Sequence, residues 1–157
     1  PSIDILQPMY NIVKRQAEVE ILPMSQTENI GVISYSPLGG GLLTGKYSSV
    51  DSSNKNSLGR LHDNSKYKKR YGQNWMYDAA NSLVNLANDL DYDPVALAVA
   101  WVSYNDAITA PIISARNLKQ LKPSLDSVEI SLDQETYNLI SNISPTPPPA
   151  TDRLEEV

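Results

Sequence analysis

The chain has no cysteine, no phenylalanine and a single histidine, and its 13 basic residues are outnumbered by 18 acidic ones. Without cysteine there is no disulfide framework, no thiolate metal site and no thiol nucleophile. That absence fits a reducing compartment, and a cytoplasmic location is the expectation. No apolar run approaches the roughly 20 residues that cross a bilayer. The opening residues Pro1-Ser2-Ile3-Asp4 lack the basic start and apolar core of a secretory signal. A leading Pro in place of Met points to a chain that begins within a longer protein. The net charge of −5 argues against a nucleic-acid partner, which calls for a basic surface. His62 lies in a polar stretch with no placed partner, so a solvated side chain is its plainest reading. The nine tyrosines read as amphipathic packing groups.

The 157 residues, 41% of them apolar, suit one ordinary domain with a sizeable core. Residues 1–144 form that domain and 145–157 a Pro-rich tail with Pro147-Pro148-Pro149. Ser2 to Leu6 reads as a strand with Ile on both phases, as in a parallel sheet buried on two faces. Helical spacing follows from Ala17 to Glu28, where Pro23 puts the true start near Glu20 to Leu22. Val32 to Tyr35 is a second strand, closed by Pro37 and Gly39 to Gly41. Ser48 to Ser65 is Ser-, Asn- and Asp-rich, a long surface loop of the kind that forms lids. Lys66, Lys68, Lys69 and Arg70 make a basic run that reads as a solvated segment or a phosphate-side contact. Gln73 to Leu90 has the clearest helical period, through Trp75, Ala79, Leu83, Leu86 and Leu90. Asp93-Pro94 caps a helix to Tyr104, Ile108 to Ile113 is a third strand, and Asn117 caps a helix to about Leu125. Ser131, with Glu135 nearby, starts a last helix to about Ile143. Alternating strands and helices imply parallel strands with crossover helices. Three strands are too few to close a barrel and leave a sheet edge that proteins normally cover. The expected architecture is therefore α/β, part of a larger fold.

Three segments carry chemistry. Tyr35-Ser36-Pro37-Leu38-Gly39-Gly40-Gly41, followed by Thr44-Gly45-Lys46-Tyr47, places an aromatic ring, a hydroxyl, backbone N–H groups and a cation at the end of a strand. Parallel sheets bind ligands there, and such groups suit a pyrophosphate. A tight strand-to-helix turn would use the same glycines, and the spacing is not that of a P-loop. In Ser114-Ala115-Arg116-Asn117 a strand runs into a capped helix, a natural anion site, and an ordinary cap beside a solvated Arg reads equally well. Gln7, at the end of the first strand, could pair with a carboxamide or simply finish the strand. Asp89, Asp91 and Asp93 alternate, but no Gly or closing Glu completes a calcium loop.

Order and spacing add specificity. Gln7-Pro8-Met9-Tyr10-Asn11 with Arg15 to Pro23, Tyr35 to Leu38 through Gly45-Lys46-Tyr47, and Ala98 to Val102 followed by Pro111 to Leu121 resemble, in turn, the sixth-, seventh- and eighth-strand segments of aldo-keto reductases. The closest flavour is the branch containing potassium-channel β-subunits and many bacterial reductases. The resemblance implies the last three β/α units of a (β/α)8 TIM barrel. It implies an NADP-dependent reductase of aldehydes or ketones, with a small carbonyl compound as substrate. Gln7 would hold the nicotinamide carboxamide and Tyr35 would stack on the ring. Ser36, Pro37, Leu38 and Gly40 would line the pyrophosphate, with Lys46 and Arg60 closing over it. Ser114, Arg116, Gln120 and Ser124 would meet the adenosine end, Arg116 favouring NADP through a 2′-phosphate. Ser124 stands where many relatives have Asn, and Ser114 replaces a usual Gly. The family's Asp, Tyr, Lys and His acid–base set matches no residue here, so the chain alone is expected to be inactive. The other expectation is a non-catalytic half barrel that self-associates as a homo-oligomer and keeps residual nucleotide binding.

Overall fold

The alternation of short apolar runs with helical periods produces a parallel sheet with helices packed against it. The computed structural model describes residues 2–47, 61 and 64–149. Strands β1 (Ile5–Leu6), β2 (Gly31–Tyr35) and β3 (Ala110–Ile112) lie in the order β1-β2-β3, all parallel. Ile5 pairs with Gly31, and Ile33 with Ala110. An isolated bridge from Met9 to Tyr35 extends the first pairing beyond Pro8. The outer strands are shorter than the runs Ser2–Leu6 and Ile108–Ile113 suggest. Ladder bonds form only where β2 lies alongside, and Ile3, Ile5 and Ile112 of these runs stay exposed.

Side chains alternate across a strand. Val32 and Ser34 turn toward the helices and are buried, while Ile33 and Tyr35 are half-buried on the opposite face. By register that second face also carries Ile5, which is 56% exposed, and Ile112, which is 40% exposed. The described residues thus leave part of an apolar sheet face uncovered.

The helices follow local rules. In α1 (Ile21–Thr27) Pro23 falls within the first turn, where its missing N–H has no helical acceptor to lose. Helix α2 (Ser65–Tyr71) is capped by Asn64, whose side chain accepts from the N–H groups of Lys66 and Tyr67. It contains the basic run read as a solvated segment. The cations end the helix at its negative pole, and Tyr71 is buried on the inner side. Leu61 is helical too, and the rest of the expected loop up to residue 63 lies outside the described residues. Helix α3 (Asn74–Asp89) buries the stripe Met76, Ala79, Ala80, Leu83 and Ala87. In α4 (Pro94–Tyr104) Asp93 accepts from Val95 N at 2.7 Å and Pro94 occupies the first turn. Every residue from Ala96 to Val102 is buried. A helix apolar all round belongs inside a fold, and α4 contacts β3, α3 and α5 (Leu118–Asp126). The last helix, α6 (Gln134–Ser141), starts later than Ser131 suggests. Asp133 is the cap, accepting from Thr136 N at 2.7 Å, because it stands three residues before a free N–H. Residues 145–149 have no regular structure.

Behind the sheet sits a dense aromatic cluster. Tyr10 and Trp101, both fully buried, lie 5.1 Å apart, and Trp101 stacks on Tyr137. Glu18 accepts from Tyr10 Oη at 2.8 Å and is gripped by Arg15 through Nε and Nη2, each at 2.8 Å. The third side of Arg15 donates to the Ser141 carbonyl at 2.7 Å, tying the first β/α segment to α6. Burial, then the negative charge of Glu18, push the Tyr10 hydroxyl well above its ordinary range. Burial opposes the Arg15 charge, but the Glu18 carboxylate outweighs it and keeps the guanidinium firmly protonated.

Candidate functional site

β2 ends at Tyr35, and the chain then turns sharply. Ser36 adopts φ +59°, a left-handed conformation uncommon for serine. Gly39, Gly40 and Gly41 follow with φ of +57°, +67° and +97°. These glycines are used for their conformation, and Gly40 for space as well: a Cβ there would stand 2.6 Å from Tyr67 Cδ1. The turn is pinned by Gly39 N donating to the Ser36 carbonyl at 3.0 Å and by Gly41 N donating to the Leu38 carbonyl at 2.9 Å. A Cβ on Gly41 would lie 3.1 Å from Lys46 Nζ, so that cation is folded back over the glycines. Lys46 Nζ also sits 4.8 Å from the Tyr47 ring centre.

β3 ends next to β2, and the segment after it enters α5. Asn117 caps this helix by accepting from Gln120 N at 3.0 Å. The Gln120 side-chain oxygen accepts from Arg116 N at 3.2 Å, which holds the Arg116 backbone against the first turn. The Arg116 and Lys119 side chains have no carboxylate partner among the described residues.

Between the two strand ends lies an open cavity of about 840 Å³. Its lining includes Tyr35, Ser36, Pro37, Leu38, Gly40 and Lys46 on one side and Ser114, Arg116 and Gln120 on the other. These residues come from segments almost 80 positions apart, and the parallel pairing of β2 with β3 brings them together. Gly41, Thr44 and Asn117, members of the motifs without an assigned cofactor role, line it too, together with Ile112, Ile113 and Lys119. Their signal was available, since they lie within or beside the same motifs.

The remaining expected site residues lie elsewhere. Gln7 is exposed and outside the cavity lining. Register places it level with Ile33, on the sheet face that carries Tyr35. Ser124 is 3% exposed and does not line the cavity; its carbonyl accepts from Ser127 Oγ at 2.7 Å, within the helix's last turn. It is a packed residue on the inner side of α5. Arg60 and His62 lie outside the described residues.

The arrangement suits a long anionic ligand with an aromatic end. It offers a ring (Tyr35), a glycine bend without side chains to block approach, a folded-back ammonium (Lys46) and a guanidinium beside a helix N-terminus (Arg116). The volume falls within the range of cofactor pockets, roughly 300–1,000 Å³. A dinucleotide's phosphates fit these donors, so the residues present match such a group.

Comparison with known proteins gives consistent matches. The family model described as "Aldo/keto reductase family" matches residues 1–145. An uncharacterized oxidoreductase, YrpG, of Bacillus subtilis is 33% identical over 141 residues, covering 90% of this chain and 40% of that protein. Aflatoxin B1 aldehyde reductase member 2 of Mus musculus is 31% identical, covering 80% and 37%. Among solved structures, a glycerol dehydrogenase from Gluconobacter oxydans superposes with a TM-score of 0.70 at 27% identity, covering 88% of this chain and 41% of that one. The chain thus spans about two fifths of the length of these relatives.

Proposed function

The chain belongs to the aldo/keto reductase family, and from that premise we propose that it forms the cofactor-holding part of an NADP-dependent reductase of aldehydes or ketones. The observation that carries this reading is the cavity joining the Tyr35–Lys46 segment to the Ser114–Gln120 segment. A bound nicotinamide cofactor supplies the hydride. Tyr35 backs the nicotinamide ring and fixes the face it presents. Gln7, on the same sheet face, reaches the carboxamide. Ser36, Leu38 and Lys46 take the pyrophosphate, and Arg116 meets the 2′-phosphate that distinguishes NADP from NAD. Positioning of this kind is the protein's share of hydride chemistry. The carbonyl substrate requires an acid–base group, and no residue of this chain matches the family's set, so the chain by itself does not turn over. We place the reaction in the cytoplasm, in keeping with the lack of cysteine; among the described residues no helix is long and apolar enough to cross a membrane.

Calorimetric titration of the chain with NADPH and with NADH tests this. Arg116→Ala should weaken NADPH about tenfold or more, the scale of a charge-assisted phosphate contact, and leave NADH almost unchanged. Equal weakening of both, or equal affinity of the native chain for both, would overturn the assignment of Arg116.

The uncovered face bearing Ile5 and Ile112 favours a second reading, a self-associating half barrel with residual nucleotide binding. Light scattering that gives the mass of a single chain at high concentration would sink it.

A further inference from the structure

We propose that Asn11 is the positioning residue of the strand-end cavity, holding the turn from Ser36 to Gly39 in the one conformation that can receive a phosphate. The proposal rests on the cofactor reading above. Asn11 does not line the cavity and is completely buried. Its Nδ2 donates to the Ser36 carbonyl at 2.8 Å, across 25 residues of sequence, and reaches Tyr71 Oη at 3.5 Å. Its Oδ1 accepts from Val13 N at 3.1 Å. A buried amide is costly unless its partners are met, so packing alone would favour an apolar side chain of the same size. What the amide secures is one specific carbonyl.

That carbonyl belongs to a residue in a conformation it would not choose. Ser36 has φ +59°, and backbone in such a region persists only where its surroundings over-determine it. The Ser36 oxygen receives two donors, Gly39 N at 3.0 Å and Asn11 Nδ2 at 2.8 Å. The bond from Gly39 lies within the turn, so it cannot fix the turn against the core and breaks if the Ser36 carbonyl turns outward. The bond from Asn11 comes from the segment after β1 and ties the turn to the core. Pro37 has no N–H to offer in exchange. If the Ser36 peptide flipped, its oxygen would face the cavity and set the negative end of a dipole against a phosphate. Asn11 prevents this by keeping the oxygen turned inward. Tyr71 adds a second brace: its hydroxyl donates to Met9 Sδ at 3.2 Å, and its ring lies 3.6 Å from where a Gly39 Cβ would be.

The test compares the native chain with Asn11→Ala and Asn11→Asp, using amide hydrogen exchange and NADPH titration. Asn11→Ala should speed exchange at Gly39 while leaving Leu83 in α3 as protected as before, and should weaken NADPH roughly tenfold. Asn11→Asp keeps the acceptor for Val13 but has no donor when ionised. Its affinity relative to the native chain should therefore recover as the pH falls and the carboxyl regains a proton, a rescue that a filler of space would not show. Unchanged Gly39 exchange and unchanged affinity in Asn11→Ala would overturn the proposal. If Asn11→Ala loses protection everywhere, Asn11→Asp decides: an affinity ratio that does not rise on acidification counts against positioning. If the native chain binds no NADPH, the cofactor reading fails by itself. The Gly39 amide in Asn11→Ala then decides alone, loss of its protection supporting the Asn11 anchor and unchanged protection refuting it.

Discussion

Around Trp101 the polar groups are matched donor for acceptor. Glu18 takes three hydrogen bonds from Tyr10 and Arg15, Trp101 Nε1 donates to Ser141 Oγ at 2.9 Å, and Ser141 Oγ donates to the Tyr137 carbonyl at 2.7 Å. At the ends of β2 and β3 the balance is reversed. Backbone at positive φ, folded-back Lys46, and Arg116 and Lys119, which have no carboxylate partner among the described residues, line an open cavity. The same short sheet supports both regions. The first has spent its polar groups on holding segments together, and the second keeps its own available for something not in the chain. Strain and unmatched charge gathered at strand ends are what a binding site requires, and a region that stabilises the fold cannot supply them.

Substitutions should separate the two regions. The largest effect belongs to Trp101→Ala. Removing a fully buried indole, stacked on Tyr137, tilted against Tyr10 and bonded to Ser141, should cost about 3–5 kcal/mol of stability in urea unfolding. A loss below about 1 kcal/mol would mean that this cluster does not anchor the fold. Gly40→Ala lies on the boundary. Its Cβ would press on the Tyr67 ring at 2.6 Å in a left-handed backbone, so about 1–3 kcal/mol should be lost, together with NADPH binding. Retained binding would show that the glycine bend does not shape the site.

A smaller effect comes from the cap of α6. The Thr136 N–H holds the Asp133 carboxyl below its ordinary value of 3.8. A carboxylate depressed in the folded state adds stability above its unfolded value, and that stability is lost as the pH falls through the folded one. Between pH of about 6 and about 3 the native chain should therefore lose more stability than Asp133→Asn, whose amide still caps the helix. Parallel urea midpoints for the two would remove Asp133 as an acid-sensitive element. The smallest change is expected at Ser34. This buried hydroxyl on β2 has no hydrogen-bond partner among the described residues. Ser34→Ala should be neutral within about 0.5 kcal/mol or slightly stabilising. A clear loss would reveal a partner for Ser34.

Caps and periods were legible because they are local. Asp93-Pro94, Asn117 and the helical period through Ala79 and Leu83 are each decided within a few residues, although the buried stripe of α3 is centred on Met76, Ala80 and Ala87 while Trp75, Leu86 and Leu90 are half-buried. Helix α2 was missed because its signal is a cap, Asn64, and a few inward residues inside a strongly basic run. Ser124 shows what a motif position leaves open. Motif position placed it at the adenosine end, but the rotation of α5 turns it inward.

The sequence by itself determined the α/β class, the parallel order implied by its alternation, and the segments that carry the cavity's donors. Only the tertiary structure decided that Tyr35–Lys46 and Ser114–Gln120 face one space, that Gln7 and Ser124 stand outside it, and that Asn11 reaches Ser36. The physical reason is range. Propensity, capping and turn chemistry act between near neighbours along the chain, whereas a site is made by side chains that strand pairing brings together from distant segments.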